Sequence, residues 1–134
     1  MTAVGTGARR AVYSDVIRER WRRPRFRGEL APPAASAEDV NPLCGDRVRM
    51  TFDIDRAGGE TIRAARFTGD SCAICTASAD VLSEMVHGRT RSQALAVTDA
   101  DLLATLAADI RPTRMRCVTL PLTVLDRALG GSPR

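Results

Sequence analysis

The clearest pattern in this 134-residue chain is a strict alternation of apolar and polar side chains between Arg47 and Asp55. Such an alternation is typical of a β-strand that buries one face. The turn 56–59, Arg-Ala-Gly-Gly, follows, and the segment 61–68 is expected to return as an antiparallel strand with a less regular alternation. The residues predicted to share the buried face of the first strand are Val48, Met50, Phe52 and Ile54.

The residues before this hairpin predict a helix and then an edge strand. Apolar positions at helical spacing favour a helix over residues 11–21, and Pro24 ends the segment. Residues 28–42 contain three prolines, so any strand there must be short and at the edge of a sheet.

The residues after the hairpin predict helices. A helix is expected over residues 72–87, with Gly88 as its C-terminal cap. A short turn near residues 92–95 precedes Thr98, which is expected to cap a further helix that runs through Leu106. The last helix is predicted over residues 119–129, with Pro121 in its first turn, where proline is tolerated.

The order of a helix, antiparallel strands and then helices indicates an α+β fold in two layers. We expect a small antiparallel sheet of about three strands with helices packed on one face. Residues 10–130 are expected to form one domain, with a flexible leader at 1–9 and a tail at 131–134.

The composition narrows the class of partner. The chain carries a net charge of +4 and no lysine, so all 20 of its basic residues are arginine. Its aromatic residues are few and its arginines are spread out, so a basic surface that attracts an acidic protein is favoured over nucleic-acid binding. No apolar run is long enough to cross a membrane and no signal-peptide pattern is present, so a cytoplasmic protein is expected.

Three cysteines and one aspartate carry the candidate chemistry. Cys44 and Asp46 share a short loop, Cys72 opens a predicted helix, and Cys117 lies in a basic segment. Three thiolates and a carboxylate suit a four-coordinate zinc ion or an iron–sulfur cluster. At a helix N-terminus, Cys72 would be favoured as a thiolate.

The remaining candidates have several interpretations. Cys75 could be an extra ligand, a resolving thiol for a disulfide with Cys72, or a core residue. Asp46 could be only a turn residue. His87, the one histidine, lies at a helix C-terminus, where a favourable contact with the helix dipole explains it.

Several blocks of the sequence resemble the iron–sulfur cluster assembly scaffold family, which includes the IscU, NifU N-terminal and SufU types. The segment 41–46, Asn-Pro-Leu-Cys-Gly-Asp, is similar to that family's first cysteine motif. The segment 69–79, which contains Cys72, and the segment 116–120, which contains Cys117, are similar to its second and third cysteine blocks. The start of the chain, from Tyr13 through Gly28, also resembles the family, so the resemblance covers about residues 11–129.

The resemblance implies that Cys44, Asp46, Cys72 and Cys117 meet at one exposed end of the fold as ligands of zinc or of a [2Fe–2S] cluster. The chain departs from the family at three places. Arg116 stands where the scaffold branch has a histidine, Cys75 stands where the family has a serine, and Arg114 takes the place of a lysine. Because it lacks this histidine, the chain resembles the SufU branch, although the insertion usual in that branch is absent.

The resemblance also implies a function. Cys44, on a loop that a partner can approach, would accept persulfide sulfur from a cysteine desulfurase, with Cys117 as the alternative acceptor. Arg116, if it faces the site, would stabilise the thiolate or persulfide. Sulfur or an assembled cluster would then pass to downstream iron–sulfur acceptor proteins. Two alternatives stay open, namely a thiol–disulfide redox protein that uses Cys72 and Cys75, and a zinc-stabilised interaction module without sulfur chemistry.

Overall fold

The structure, a computed structural model, describes residues 13–32 and 35–131. Within them the chain forms helix, strands and helices in the predicted order. Ser14 caps the first helix by accepting a hydrogen bond from the N–H of Ile17 at 3.2 Å. The elements are α1 (Asp15–Arg22), β1 (Ala35–Val40), β2 (Arg47–Asp55), β3 (Thr61–Asp70), α2 (Ala73–Val86), α3 (Arg91–Leu95), α4 (Asp99–Leu106), a 3-10 turn (Pro112–Arg114) and α5 (Met115–Leu129).

The sheet is antiparallel throughout, in the order β1-β2-β3. The apolar residues of β2 that were predicted to share a face are buried, which confirms that part of the pattern. Thr51, on the opposite face, is buried as well, because its hydroxyl accepts a hydrogen bond from the N–H of Leu30 at 3.1 Å. The segment that leads to β1 therefore covers part of that second face.

A β-bulge explains why the alternation in β3 is less regular. Phe52 pairs with Ala65, but Ile54 pairs with Ile62, so β3 has one more residue than β2 between these pairs. The extra residue allows Ile62 and Ala65 to reach the same buried face although they are three positions apart.

The helices form the second layer. Helices α2 and α5 pack directly on the sheet, and α1 packs on α2. An ion pair joins α1 to α2, because Arg20 donates to the buried carboxylate of Asp80 at 2.8 Å and also contacts Glu84. The other oxygen of Asp80 accepts the N–H of Phe26 at 2.8 Å. The predicted α+β fold, with a three-stranded antiparallel sheet and helices on it, is confirmed.

The helix boundaries differ from prediction in three places. Helix α5 begins at Met115, four residues early, so Cys117 lies in its first turn and Pro121 in its second. Pro121 has no N–H to donate to the carbonyl of Cys117, but its position is stabilised because the following turns bury a continuous apolar face. The turn predicted near residues 92–95 is the short helix α3, which Thr90 and Gln93 cap. Helix α1 begins at Asp15, and residues 11 and 12 of the predicted helix lie outside the described residues.

Most of the residues predicted to form the flexible leader and the tail lie outside the part of the chain that the structure describes. The leader at 1–9 and residues 132–134 of the predicted tail fall there. Among the helices of the described ranges, none combines the length and the apolar character needed to cross a membrane.

Candidate metal and sulfur site

The register of β2 and β3 brings Asp46 next to Cys72. Arg47 pairs with Asp70 at the end of the hairpin, so the residue before β2 and the residues after β3 emerge side by side. The N–H of Cys72 donates to Oδ1 of Asp46 at 2.9 Å. The strand pairing thus places a carboxylate at the start of α2.

Gly69 makes this close approach possible. It has a φ of +151°, and a Cβ atom at this position would lie 2.0 Å from the carbonyl oxygen of Arg47. Only glycine allows the two strands to stay paired at this point, one residue before the chain turns towards Cys72.

The loop between β1 and β2 carries Cys44. Asn41, which is buried, organises the loop, because its carbonyl oxygen accepts the N–H of Gly45 at 2.7 Å and its side chain accepts the N–H of Leu43 at 3.2 Å. Gly45 has a φ of +78°, a conformation that favours glycine. The result is an exposed Cys44 whose Sγ donates to Oδ2 of Asp46 at 3.0 Å.

Cys117 reaches the same place from α5. The hydroxyl of Ser78, on α2, donates to the carbonyl oxygen of Val118 at 2.7 Å and so ties the two helices together beside Cys117. Cys117 is buried and lies in the first turn of α5, as Cys72 lies at the N-cap of α2. Both thiols therefore lie near the positive end of a helix dipole.

The structure brings three of the four predicted ligands, Cys44, Asp46 and Cys117, together and places Cys72 beside them. The ligand atoms of Cys44, Asp46 and Cys117 all lie within 4.8 Å of one another. Cys72 adjoins them through its main-chain hydrogen bond to Asp46. Ligand sulfurs around one zinc ion lie about 3.8 Å apart, given Zn–S bonds of about 2.3 Å and tetrahedral angles. This donor set therefore fits a metal centre with only small adjustments.

Asp46 is held in its ionised form. Burial of its carboxyl opposes ionisation, but the hydrogen bonds from the thiol of Cys44 and the N–H of Cys72 outweigh burial and lower the pKa of Asp46. The carboxylate is thus an acceptor for every group that faces it, rather than a turn residue alone.

Cys117 is held mainly as a thiol. Burial raises the pKa of Cys117 to about 12, although the guanidinium of Arg114 acts in the opposite direction. Nε of Arg114 lies 3.5 Å from Sγ of Cys117, and this contact raises the pKa of Arg114. A bound cation would supply the positive charge that ionisation of Cys117 requires.

The arginine that contacts the site is Arg114, whereas Arg116 was predicted to stabilise the thiolate. Arg116 is exposed and lines a cavity of about 460 Å³ with Thr98, Asp99 and Thr123. In the sequence, Arg114 and Cys117 are three residues apart, and this spacing places both on one side of a helical turn. The spacing could therefore have identified Arg114.

Cys75 and His87 occupy different surroundings. Cys75 is fully buried just below the site, and burial raises the pKa of its thiol, with Asp46 and Cys72 adding to the effect. His87 is the exposed C-cap of α2 and belongs to none of the potential metal-binding groups found in the described residues.

The fold and the site agree with one known family. Residues 12–131 match the family described as the NifU-like N terminal domain. Because the match spans most of the 134 residues, the chain belongs to this family. The resemblance seen in the sequence is confirmed.

Individual relatives extend this result. The chain is 27% identical over 136 residues to the zinc-dependent sulfurtransferase SufU of Bacillus subtilis, covering 89% of this chain and 90% of that protein. It is 32% identical over 117 residues, or 87% of this chain, to the bifunctional protein NifU/MnmA of Rubrobacter xylanophilus, of which it spans only 23%.

A solved structure supports the fold directly. The crystal structure of FiSufU from Fervidobacterium islandicum, described as a candidate iron–sulfur cluster assembly scaffold for the SUF system, superposes with a TM-score of 0.73. The two chains are 26% identical, and the match covers 88% of this chain and 96% of FiSufU.

Proposed function

We propose that this chain handles sulfur in iron–sulfur cluster assembly by accepting persulfide sulfur from a cysteine desulfurase at Cys44. The observation that carries the proposal is the exposure of Cys44 on a loop while its Sγ lies 3.0 Å from the ionised Asp46. A sulfur acceptor needs such a thiol, because a partner must reach it and a nearby base must orient its proton.

The transfer itself is a thiol–persulfide exchange. The Cys44 thiolate attacks the outer sulfur of the desulfurase's cysteine persulfide, a new S–S bond forms on Cys44, and the desulfurase cysteine leaves as a thiolate. Asp46 accepts the hydrogen bond of the Cys44 thiol and directs its Sγ into the site. Because the pKa of Asp46 is lowered, its main contribution is orientation and charge, rather than storage of the proton.

Cys44, Asp46, Cys72 and Cys117 would hold a zinc ion or a [2Fe–2S] cluster. The metal, when bound, supplies positive charge that keeps the thiols ionised. Asp46 is the weakest of the four ligands for a soft metal, so the site is easier to open than one with four cysteines. An openable site suits both a relay that passes sulfur on and a scaffold that releases a cluster.

The named relatives support both forms of this function. The Bacillus subtilis relative is a zinc-dependent sulfurtransferase, and FiSufU is described as a candidate scaffold. By analogy, the partners of this chain would be a cysteine desulfurase and downstream iron–sulfur acceptor proteins. The function belongs in the cytoplasm, where thiols stay reduced.

Metal and sulfide analysis of protein purified without oxygen distinguishes a sulfur relay from a cluster scaffold, and both from the two alternative functions. Zinc near one per chain together with sulfur uptake supports a relay, whereas iron with acid-labile sulfide supports a scaffold. Zinc without any response to a desulfurase would favour an interaction module, and metal-free protein that carries a Cys72–Cys75 disulfide and takes up no sulfur would favour a redox protein.

The variant Cys44→Ser tests the acceptor. We expect it to lose sulfur uptake from a desulfurase while its far-ultraviolet circular dichroism stays unchanged, because Cys44 is exposed and the loop is held by Asn41. Cys75→Ala, which removes a buried thiol outside the proposed ligand set, is the matched control and should retain uptake. Full uptake by Cys44→Ser would refute the role of Cys44.

A further inference from the structure

Helix α2 begins with two cysteines arranged as a dithiol. Cys72 is the N-cap, and its Sγ accepts the N–H of Cys75 at 3.4 Å. Helix geometry puts Cα atoms three residues apart at roughly 5 Å. That separation lies inside the window of about 4.4–6.8 Å that is usual for the Cα atoms of disulfide-bonded cysteines.

The two thiols differ in access. Cys72 is partly exposed, whereas Cys75 has no exposed surface. A dissolved oxidant can therefore reach the sulfur of Cys72 but not that of Cys75. The buried thiol lies one helical turn away, so it can attack a modified Cys72 from within the protein.

We propose that Cys72 and Cys75 form a reversible disulfide with a small disulfide as oxidant, and that this reaction competes with metal binding at Cys72. In the first step the Cys72 thiolate attacks the small disulfide, forms a mixed disulfide and expels one thiolate. In the second step the thiol of Cys75 attacks the sulfur of Cys72, the second small thiolate leaves, and that thiolate takes up the proton of Cys75. The two protein thiols are oxidised by two electrons, and the small disulfide is reduced to two thiols.

The consequence for the site is the loss of one ligand. With Cys72 bound to Cys75, only Cys44, Asp46 and Cys117 can coordinate a metal, and three donors leave the tetrahedral set incomplete. Conversely, a metal bound to Cys72 ties up the sulfur that the oxidant must reach. Formation of the disulfide does not depend on the proposed sulfur chemistry, whereas its competition with metal rests on the proposed site.

Peptide mapping of the full chain tests the disulfide. Trypsin cleaves after Arg66 and Arg89, and the peptide 67–89 contains Cys72 and Cys75 and no other cysteine. Cys44 falls in the peptide 28–47 and Cys117 in the peptide 117–127. After metal-free protein is incubated with oxidised glutathione, we expect the 67–89 peptide to lose two hydrogens, and dithiothreitol to restore them.

Two comparisons complete the test. Cys44→Ala should still form the internal link, whereas Cys75→Ala should stop at a stable glutathione adduct on Cys72. Free zinc at a hundred times its Kd should slow formation of the link about a hundredfold. A stable adduct on Cys72 in the unmodified chain, or cross-links between different peptides, would overturn the disulfide, and an unchanged rate in zinc-loaded protein would overturn the competition.

Discussion

The main-chain N–H of Cys72 donates a hydrogen bond of 2.9 Å to Oδ1 of Asp46, 26 positions away in the sequence. This bond joins the start of α2 to the end of the loop that carries Cys44. It forms because β2 and β3 stay paired up to Arg47 and Asp70. The pairing of these two strands therefore sets the position of Asp46 relative to Cys72.

Replacing Asp46 with alanine should slow the release of bound metal several-fold, because the change removes the ligand that is most easily displaced. The measurement is the rate of zinc loss to an excess of chelator. Asp70→Ala, which removes an exposed carboxylate two residues before Cys72, is the matched control and should leave the rate unchanged. Faster loss from Asp46→Ala would mean that the hydrogen bond to Cys72 matters more than the displaceable ligand.

Replacing Gly69 with alanine should destabilise the fold and weaken metal binding together. A Cβ atom there would overlap the carbonyl oxygen of Arg47 and push β3 away from β2. Gly88 also has a positive φ, but nothing lies within 4 Å of its would-be Cβ, so Gly88→Ala should cost only about 1–2 kcal/mol. Urea unfolding of both variants measures the difference, and equal costs would show that the strands can separate freely at Gly69.

Replacing Asp80 with alanine should cost about 1–3 kcal/mol, because it leaves the N–H of Phe26 without an acceptor and leaves Arg20 with only the half-exposed Glu84 as a partner. The comparison is Glu19→Ala, which removes an exposed ion pair with Arg23 and should cost at most about 1 kcal/mol. Chemical denaturation of the two variants gives both free energies of unfolding. A cost below about 1 kcal/mol for Asp80→Ala would show that this ion pair does not hold α1 against α2.

Replacing Arg114 with alanine should weaken zinc binding by roughly tenfold near neutral pH. Arg114 lowers the free energy of the Cys117 thiolate, and a thiol whose pKa is about 12 must lose its proton before it can bind a metal. For the same reason, zinc affinity should fall as the pH is lowered. Competition with a chromogenic chelator measures both effects, and Arg116→Ala, which changes an exposed arginine, is the control. A larger loss of zinc affinity in Arg116→Ala would show that Arg116, rather than Arg114, stabilises the thiolate.

Much of the fold could be predicted because local signals and tertiary packing agree. The alternation in β2 and the Thr98 cap of α4 both appear in the structure where the sequence indicated them. The bulge between Asp53 and Ile54 left only an irregular pattern, because its position depends on how two strands pair. That pairing is a property of neither strand alone.

The sequence pointed to the residues that the structure places near one another, but not to the arginine beside them. Cysteine spacing and the family resemblance together brought out Cys44, Asp46, Cys72 and Cys117. The early start of α5 was missed because Pro121 suggested a helix beginning nearby, and tertiary packing outweighs that local preference. Once α5 begins at Met115, Arg114 lies at its N-cap, and this boundary puts Arg114 beside Cys117.

The two oxygens of Asp46 are already engaged, Oδ1 by the main chain of Cys72 and Oδ2 by the thiol of Cys44. Because the thiol of Cys44 donates its proton to Asp46, metal binding at the proposed site would exchange protons for a metal ion. The four ionised ligands would carry more negative charge than the two positive charges of zinc can neutralise. The proposed site with its metal would therefore keep a net negative charge on an arginine-rich molecule. A partner protein could then sense metal binding as a change of charge at this site.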